Sequence, residues 1–276
     1  MQTRLVSTVL FSALLISTAI PALAQTTVSL VPHRAAYELT LLNTRGKSIS
    51  AASGRIAMEF IGNACEGYAT NFRQVTQISD GEGQSQTSDL RISSFESGDG
   101  KSLRFNGEKR TNNAQAEVTA GQAERANDGG LSIDIKQPKI NKIDVDGVAS
   151  FPTDHMVQLI AAAKKGDRLL ELRIYDGSDG GEKIYDTTAL IGASIPQTGR
   201  AVEEASEKAG LKSMPRWPVS ISYFEPGNGE RTPIYVLSFD LFENGVSGAL
   251  KLDFGDFALK GEMKRLEILA ETECKK

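Results

Sequence analysis

Apolar and polar residues alternate along most of the chain from Arg34 onward. A period of two is typical of a β-strand with one face buried and the other in water. Clusters of Gly, Asn and Ser separate the alternating segments, as expected for turns. The pattern therefore predicts a mainly β protein built on an antiparallel sheet. Strands are predicted over residues 36–42, 56–61, 68–78, 89–95 and 102–106, and weaker ones over 116–118 and 133–135.

The second half of the chain continues the alternation. Residues 169–175 and 183–187 flank the glycine-rich loop 176–181 and are predicted to form a hairpin. The loop lacks the ligand spacing of a calcium-binding loop, so we interpret it as a solvated turn. Nearer the C-terminus, alternation over residues 233–243 is followed by Asn244-Gly245, which is typical of a type I′ turn. The meander is predicted to continue almost to the end of the chain.

One segment, from Phe151 to Gly166, departs from the period of two. Its apolar residues recur at spacings of three and four, which predicts an amphipathic helix over about 154–165 that packs on the sheet. Thr153 is a candidate N-cap, and Gly166 is placed to end the helix. The apolar positions are Met156, Leu159, Ile160 and Ala163.

Two further segments invite an interpretation. Residues 198–213 are rich in charged and small residues without an apolar stripe, so we expect a mobile surface excursion with about two helical turns. Trp217 lies between Pro215 and Pro218, which favours an edge strand or the start of a strand. Its indole is expected to be buried, and an exposed groove for a peptide or partner helix is the alternative.

The N-terminus has the features of a secretory signal peptide. Arg4 supplies a positive charge, an apolar run extends from Leu5 to Ile20, and Ala22-Leu23-Ala24 is a small-x-small cleavage pattern. We expect the protein to be exported, residues 1–24 to be cleaved and residues 25–276 to form a single domain. The formal net charge of −4 for the full chain argues against a nucleic-acid partner.

Cys65 and Cys274 are the two cysteines of the chain. An even number of cysteines in an exported protein favours a disulfide, because compartments outside the cytosol are oxidising. Two unpaired buried thiols are the alternative.

The sequence contains no recognisable catalytic set. His155 follows Asp154, but a nucleophile and an orienting carboxylate would both be needed, and no G-x-S-x-G elbow is present. We therefore interpret His155 as a polar residue of the first helical turn, with catalysis as the less favoured alternative. His33 and His155 are the two histidines, and their wide separation gives no zinc pattern. No enzyme activity, metal or cofactor is predicted, and the ligand-binding residues remain unidentified.

Several short motifs occur in an order that resembles one family. They are the signal peptide, Pro32-His-Arg-Ala-Ala-Tyr-Glu-Leu39, Phe151-Pro-Thr-Asp-His155, Tyr175-Asp-Gly-Ser178, Ile191-Gly192, and a late cysteine, Cys274, that follows an early one, Cys65. The chain resembles the envelope integrity protein B family, the periplasmic DUF1849 family of α-proteobacteria, over essentially all of its mature length.

This resemblance implies one long antiparallel sheet wound as a spiral into an incompletely closed barrel, with a disulfide between Cys65 and Cys274. It also implies a non-enzymatic role in cell envelope integrity and stress resistance, and association with a periplasmic tetratricopeptide-repeat protein. Two functional hypotheses follow. A scaffold for other envelope proteins would fill the concave face of the sheet with side chains, whereas a carrier or sensor of a lipid or another apolar ligand would leave it open.

Overall fold

The computed structural model describes residues 28–46, 49–227 and 232–274, so the predicted signal peptide lies outside the described residues. None of the helices in these ranges is long and apolar enough to cross a membrane. The helices are α1 (Pro152–Lys165) and α2 (Glu204–Lys208). The strands are β1 (His33–Thr44), β2 (Ala51–Asn63), β3 (Gly67–Ser79), β4 (Ser85–Ser97), β5 (Ser102–Thr111), β6 (Glu117–Arg125), β7 (Leu131–Gln137), β8 (Asn141–Val145), β9 (Leu169–Ile174), β10 (Tyr185–Ile191), β11 (Arg216–Phe224), β12 (Tyr235–Phe242), β13 (Ser247–Asp253) and β14 (Phe257–Ile268).

All of these strands belong to one sheet, in the order β8-β7-β6-β5-β4-β3-β2-β1-β14-β13-β12-β11-β10-β9. Every neighbouring pair is antiparallel, and most pairs are successive strands joined by short turns. The exception is β1 with β14, which pair from His33 opposite Ile268 to Thr44 opposite Phe257. The mainly β, antiparallel fold predicted from the sequence is confirmed.

The sheet does not close into a complete barrel. Its two edge strands, β8 and β9, lie in the middle of the chain and do not form a ladder with each other. Within the described residues, one isolated parallel bridge, Ser150 with Ile174, links the chain after β8 to β9. Side chains add to this seam: the Asn141 amide donates to Glu182 at 3.0 Å, and the Arg173 guanidinium donates to the Asp146 carbonyl at 2.7 Å. The incompletely closed barrel implied by the family resemblance is confirmed.

The apolar positions of the strands face the inside of the barrel. In β1, His33, Ala35, Tyr37 and Leu39 are buried while the intervening residues are partly or fully exposed. The main core combines these inward positions with α1, whose Leu159 and Ile160 are fully buried. The predicted helix is confirmed, and it packs on the concave face through its apolar stripe.

A second, smaller core lies under β5, β6 and β7. It is closed by Phe151 and by the loop that follows β9, which packs through Tyr175. The ring of Tyr175 meets Phe105 edge to face at 5.8 Å between ring centroids, and its hydroxyl donates to the Gly181 carbonyl at 2.8 Å.

The loop 176–181 is therefore not the solvated turn predicted from its composition. Gly177 and Gly181 are buried, and residues 179–181 form a short 3-10 helix. The strand predicted over 183–187 begins at Tyr185 and ends at Ile191. Composition misleads here because the glycines allow close packing against Phe105 as well as turning.

The segment 198–213 is also more firmly attached than its sequence predicts. The Glu203 carboxylate accepts hydrogen bonds from the backbone N–H groups of Ala249, at 2.9 Å, and Met263, at 2.7 Å. Ala205 and Leu211 are buried against the barrel. The pairing of β13 with β14 ends at Leu250 opposite Gly261. Just beyond that point, the Glu203 carboxylate accepts hydrogen bonds from the backbone N–H groups that no longer bond across the two strands.

Trp217 is buried, as expected, and it lies at the start of a strand, which is one of the two predicted alternatives; the other, an edge strand, is wrong. Its strand, β11, pairs with β10 on one side and β12 on the other. Pro218 is tolerated near the start of this strand, where its carbonyl accepts from Gly192 N–H at 2.7 Å.

Two glycines of the loop after β9 provide a matched test of its packing. Both have a positive φ, but a Cβ at Gly177 would overlap the ring of Phe105, whereas a Cβ at Gly180 would meet nothing within 4 Å. We expect Gly180→Ala to cost about 1–2 kcal/mol through backbone strain alone. Gly177→Ala should cost about 2–4 kcal/mol, because overpacking is added. Urea unfolding of both variants measures the difference, and equal losses would contradict the packing of this loop on Phe105.

Candidate functional site: the interior cavity

The concave face of the sheet and the N-terminal half of α1 line a partly open cavity of about 360 Å³. Its size lies within the range of small-molecule sites, roughly 300–1,000 Å³. The wall is mostly apolar because the inward positions of β2, β3, β12 and β13 converge on it. Representative residues are Ile56, Met58, Phe72, Leu237, Phe239 and Leu252, with Met156 and Leu159 from α1.

A buried carboxylate positions α1 beside the cavity. Glu96, near the end of β4, accepts hydrogen bonds from the Thr153 N–H at 2.7 Å and the Thr153 hydroxyl at 2.6 Å. Burial raises the pKa of Glu96, and the bonds from Thr153 oppose that shift. At its other end, α1 is held by an ion pair between Lys164 and Glu243 at 2.5 Å.

The N-cap predicted for α1 is wrong. Phe151 is the N-cap residue and makes no side-chain cap bond, while Thr153 lies inside the helix. The cap bond comes instead from Glu96, which is distant in sequence, so local pattern could not reveal it. Gly166 ends the helix in the left-handed conformation, with φ of 86°, as predicted.

His33 borders the cavity from the first residue of β1. Its Nδ1 is 2.8 Å from the Val31 carbonyl oxygen, and a carbonyl can only accept, so Nδ1 carries the hydrogen. The Nε2 atom is then an acceptor, and it has no hydrogen-bond partner among the described residues. Burial lowers the pKa of His33, and the bond to Val31 partly opposes this.

His155 borders the same cavity from the first turn of α1. It is 6% exposed, and its Nε2 likewise has no hydrogen-bond partner in the described part of the chain. Burial lowers the pKa of His155 to about 4, against a weak opposing effect of Asp154. Both imidazoles are therefore neutral near pH 7.

Two tyrosines line the cavity from adjacent strands. Tyr223 of β11 pairs with Tyr235 of β12, and their rings are 5.7 Å apart between centroids. Burial raises the pKa of both hydroxyls, so both stay protonated. A third lining tyrosine, Tyr37, already donates its hydroxyl to the Ser247 carbonyl at 2.5 Å.

The cavity wall carries little formal charge. Among the described residues that line it, Asp176 is the sole carboxylate, and there is no lysine or arginine. One oxygen of Asp176 accepts from the backbone N–H of Ser178 at 2.9 Å. The wall can thus surround an apolar molecule and offer it a few uncharged hydrogen-bonding groups.

A disulfide joins Cys65, in the turn between β2 and β3, to Cys274 in the tail after β14. The cysteine Cα atoms are 5.7 Å apart, and the bond closes a sequence separation of 209 residues. Asn63 adds a second tie, since its side-chain amide donates to the Thr272 hydroxyl at 2.9 Å. The C-terminal tail is thereby held near the start of β1, where Leu269 N–H donates to the Pro32 carbonyl at 2.8 Å.

Asp154 and His155 are neighbours in the sequence, but their side chains have different surroundings. Asp154 faces Arg125 at 3.7 Å and does not orient His155. Across residues 28–46, 49–227 and 232–274, no three His, Cys, Asp or Glu side chains are placed to hold a metal ion.

The fold and cavity define a class of protein, an open β-barrel of spirally wound antiparallel strands with an apolar interior. Residues 24–270 match the family described as EipB-like, and the chain belongs to that family. It is 35% identical to the cell envelope integrity protein EipB of Brucella abortus (strain 2308) over 249 residues, which are 89% of this chain and 86% of that protein.

A solved structure shares the fold. The crystal structure of a beta-barrel-like protein of the domain of unknown function DUF1849 from Brucella abortus matches with a TM-score of 0.80 and 34% identity. The match covers 88% of this chain and all of that chain. The family resemblance expected from the short motifs is confirmed, and this is not a family named for an enzyme activity.

Sequence reasoning did not assign His33, Tyr223 or Tyr235 to a site. A signal for His33 was present, because it occupies the inward phase of the alternation that buries Ala35 and Tyr37. No sequence signal placed it in the same cavity as His155, since their elements meet only through the curvature of the sheet.

The disulfide is expected to contribute strongly to stability. Replacing Cys65 and Cys274 by serine together should lower the free energy of unfolding by up to about 5 kcal/mol, because the open loop regains chain entropy. Urea unfolding of the wild type with and without reductant, beside the double variant, measures this. Reductant should destabilise the wild type and leave the double variant unchanged. Equal stability of oxidised wild type and double variant would contradict the prediction.

The buried His155 is expected to make stability depend on pH. Its pKa is about 4 when folded against an ordinary value of 6.5, so the folded state binds this proton less tightly. Its stabilising contribution is therefore present above pH 6.5 and is lost as the pH falls through about 4. From pH 7 to pH 4.5 the loss should be about 2–3 kcal/mol. Chemical unfolding at pH 7 and pH 4.5 measures the loss in the free energy of unfolding, which should be smaller in His155→Phe than in the wild type. Equal losses in the two proteins would refute the prediction.

Proposed function

We propose that this protein acts in the periplasm to maintain cell envelope integrity by holding an apolar ligand, such as the acyl chain of a lipid, inside its barrel. The observation that carries this proposal is the cavity of about 360 Å³ with a mostly apolar wall. The role in the envelope is supported by the family and by the related Brucella protein named for it. We propose a binding role without catalysis.

The filling of the barrel favours a carrier over a scaffold. A scaffold would be expected to use α1 as a plug that occupies the whole concave face. Here Leu159 and Ile160 of α1 are fully buried, yet space remains beside the N-terminal half of the helix. Apolar walls around such a space favour an apolar occupant, because burying it removes its surface from water.

Periplasmic location is supported by two features. The N-terminal residues 1–24 have the pattern of a signal peptide. The disulfide between Cys65 and Cys274 suits an oxidising compartment, whereas cytosolic disulfides are rare.

A scaffold is the second candidate function, and one surface feature favours it. Leu169 and Leu190 lie opposite each other on β9 and β10 at the open edge of the sheet, and they are 52% and 60% exposed. An exposed apolar pair beside the open edge of a sheet suits a protein contact. The periplasmic tetratricopeptide-repeat protein implied by the family resemblance is the proposed partner.

Filling the cavity tests the proposed function. Leu237, one of the lining residues, is changed to tryptophan, and Leu42→Trp is the matched control at an exposed position outside the cavity. We expect the wild type and Leu42→Trp to bind a fluorescent sixteen-carbon acyl probe equally, and Leu237→Trp to bind it at least about tenfold more weakly, since the indole occupies the space.

Mass spectrometry of gently extracted wild-type protein complements the titration. A lipid that co-purifies at near stoichiometry would support the carrier. If no lipid co-purifies and the probe does not bind, the carrier hypothesis is rejected and the scaffold hypothesis remains. Circular dichroism and thermal unfolding establish that both tryptophan variants are folded.

A further inference from the structure

The two histidines leave hydrogen-bonding capacity unused inside the cavity. His33 is 3% exposed and His155 is 6% exposed, and the Nε2 atom of each is buried without a partner among the described residues. Buried polar atoms in folded proteins are nearly always hydrogen-bonded, so each exception needs an explanation. Both residues line the same cavity, and a bound molecule would explain both exceptions.

A short series of contacts relates the two imidazoles. Glu96, which binds Thr153 two residues before His155, pairs across the ladder with Tyr68. Tyr68 stacks on Phe60 at 4.9 Å between ring centroids, and Phe60 lies 5.8 Å from the ring of His33. The carboxylate that holds the first turn of α1 thus lies opposite Tyr68, whose ring stacks on the neighbour of His33.

The donor and acceptor roles of these atoms restrict the ligand. The bond from Nδ1 to Val31 makes Nε2 of His33 an acceptor, so it needs a donor from the ligand. No hydrogen bond within the described ranges sets the tautomer of His155, whose Nε2 has no partner there, so this atom can either donate or accept. A hydroxyl or amide can satisfy this combination, because each both donates and accepts.

The charge of the wall restricts the ligand further. No lysine or arginine is present among the described lining residues, and the sole carboxylate is Asp176. An ionised phosphate or carboxylate enclosed here would have no cation to balance it, which is strongly unfavourable in an apolar site.

We infer that the cavity selects an uncharged amphiphile, a single apolar chain that bears a hydroxyl or amide group, and that this group hydrogen-bonds to Nε2 of His33, of His155 or of both. The inference rests on the proposed apolar ligand of the preceding subsection and specifies its polar group. The apolar wall holds the chain, and the imidazoles discriminate among head groups.

Three probes with the same twelve-carbon chain test this selection. Dodecan-1-ol donates and accepts, 1-methoxydodecane only accepts, and dodecanoate is an anion at pH 7.5. Each competes with the fluorescent acyl probe on the wild-type protein. We expect the alcohol to compete at a concentration at least about tenfold lower than either of the others.

Two phenylalanine variants assign the preference to the histidines. His33→Phe and His155→Phe keep an aromatic ring and remove the hydrogen-bonding nitrogens. In at least one of them, the advantage of the alcohol over the methyl ether should fall to about twofold or less, while the affinity for the methyl ether stays unchanged. Leu42→Trp, at an exposed position outside the cavity, should keep the full preference, and thermal unfolding shows whether each variant is folded.

The outcomes separate this inference from the proposed function. Equal competition by all three probes on the wild type, tighter binding of dodecanoate, or a preference that survives in both phenylalanine variants would overturn the inference while apolar binding stands. If no probe binds the wild type and Leu237→Trp behaves like the wild type, the proposed function fails and this inference fails with it.

Discussion

The pairing of β1 with β14 is the constraint on which the rest of the structure depends. These strands come from the two ends of the described chain and pair along the whole length of β1. Once the ends are joined, the free edges of the sheet must lie in the middle of the chain, at β8 and β9. The disulfide and the Asn63 amide hold the tail beyond β14 beside this pairing. A long-range closure of this kind costs chain entropy, which the covalent tie offsets by restricting the unfolded chain.

This closure also explains why α1 lies inside the barrel. The helix is the connection between the two edge strands, so it must cross from one edge of the sheet to the other. Its apolar stripe packs on the concave face, and its ends are held by Glu96 and by the ion pair of Lys164 with Glu243. A single helix does not fill the interior of a sheet of this size, and the remaining space is the cavity.

The two histidines are best interpreted from their position at the cavity. His155 stands beside Asp154 in the sequence, a pair that invites a catalytic interpretation, but the structure directs Asp154 toward Arg125 and leaves the imidazole neutral at an apolar wall. His33 occupies an inward position of β1 with one nitrogen bonded to Val31. The two side chains resemble the few convergent polar groups that orient ligands in apolar pockets more than they resemble a catalytic set.

The sequence by itself determined which face of each long strand is buried, where the helix lies and that the chain belongs to the EipB-like family. Those properties depend on local periodicity, on the end signals of single elements and on short motifs. Local pattern failed for Thr153, for the loop at Gly177 and for the segment around Glu203, because in each case the decisive partner is distant in sequence. Only the tertiary structure decided that β1 meets β14, that the sheet stays open at β8 and β9, and that His33 and His155 share one cavity. Alternation reports which side of a strand avoids water, but the neighbour of that strand and the space left by the curvature of the sheet are set by long-range pairing.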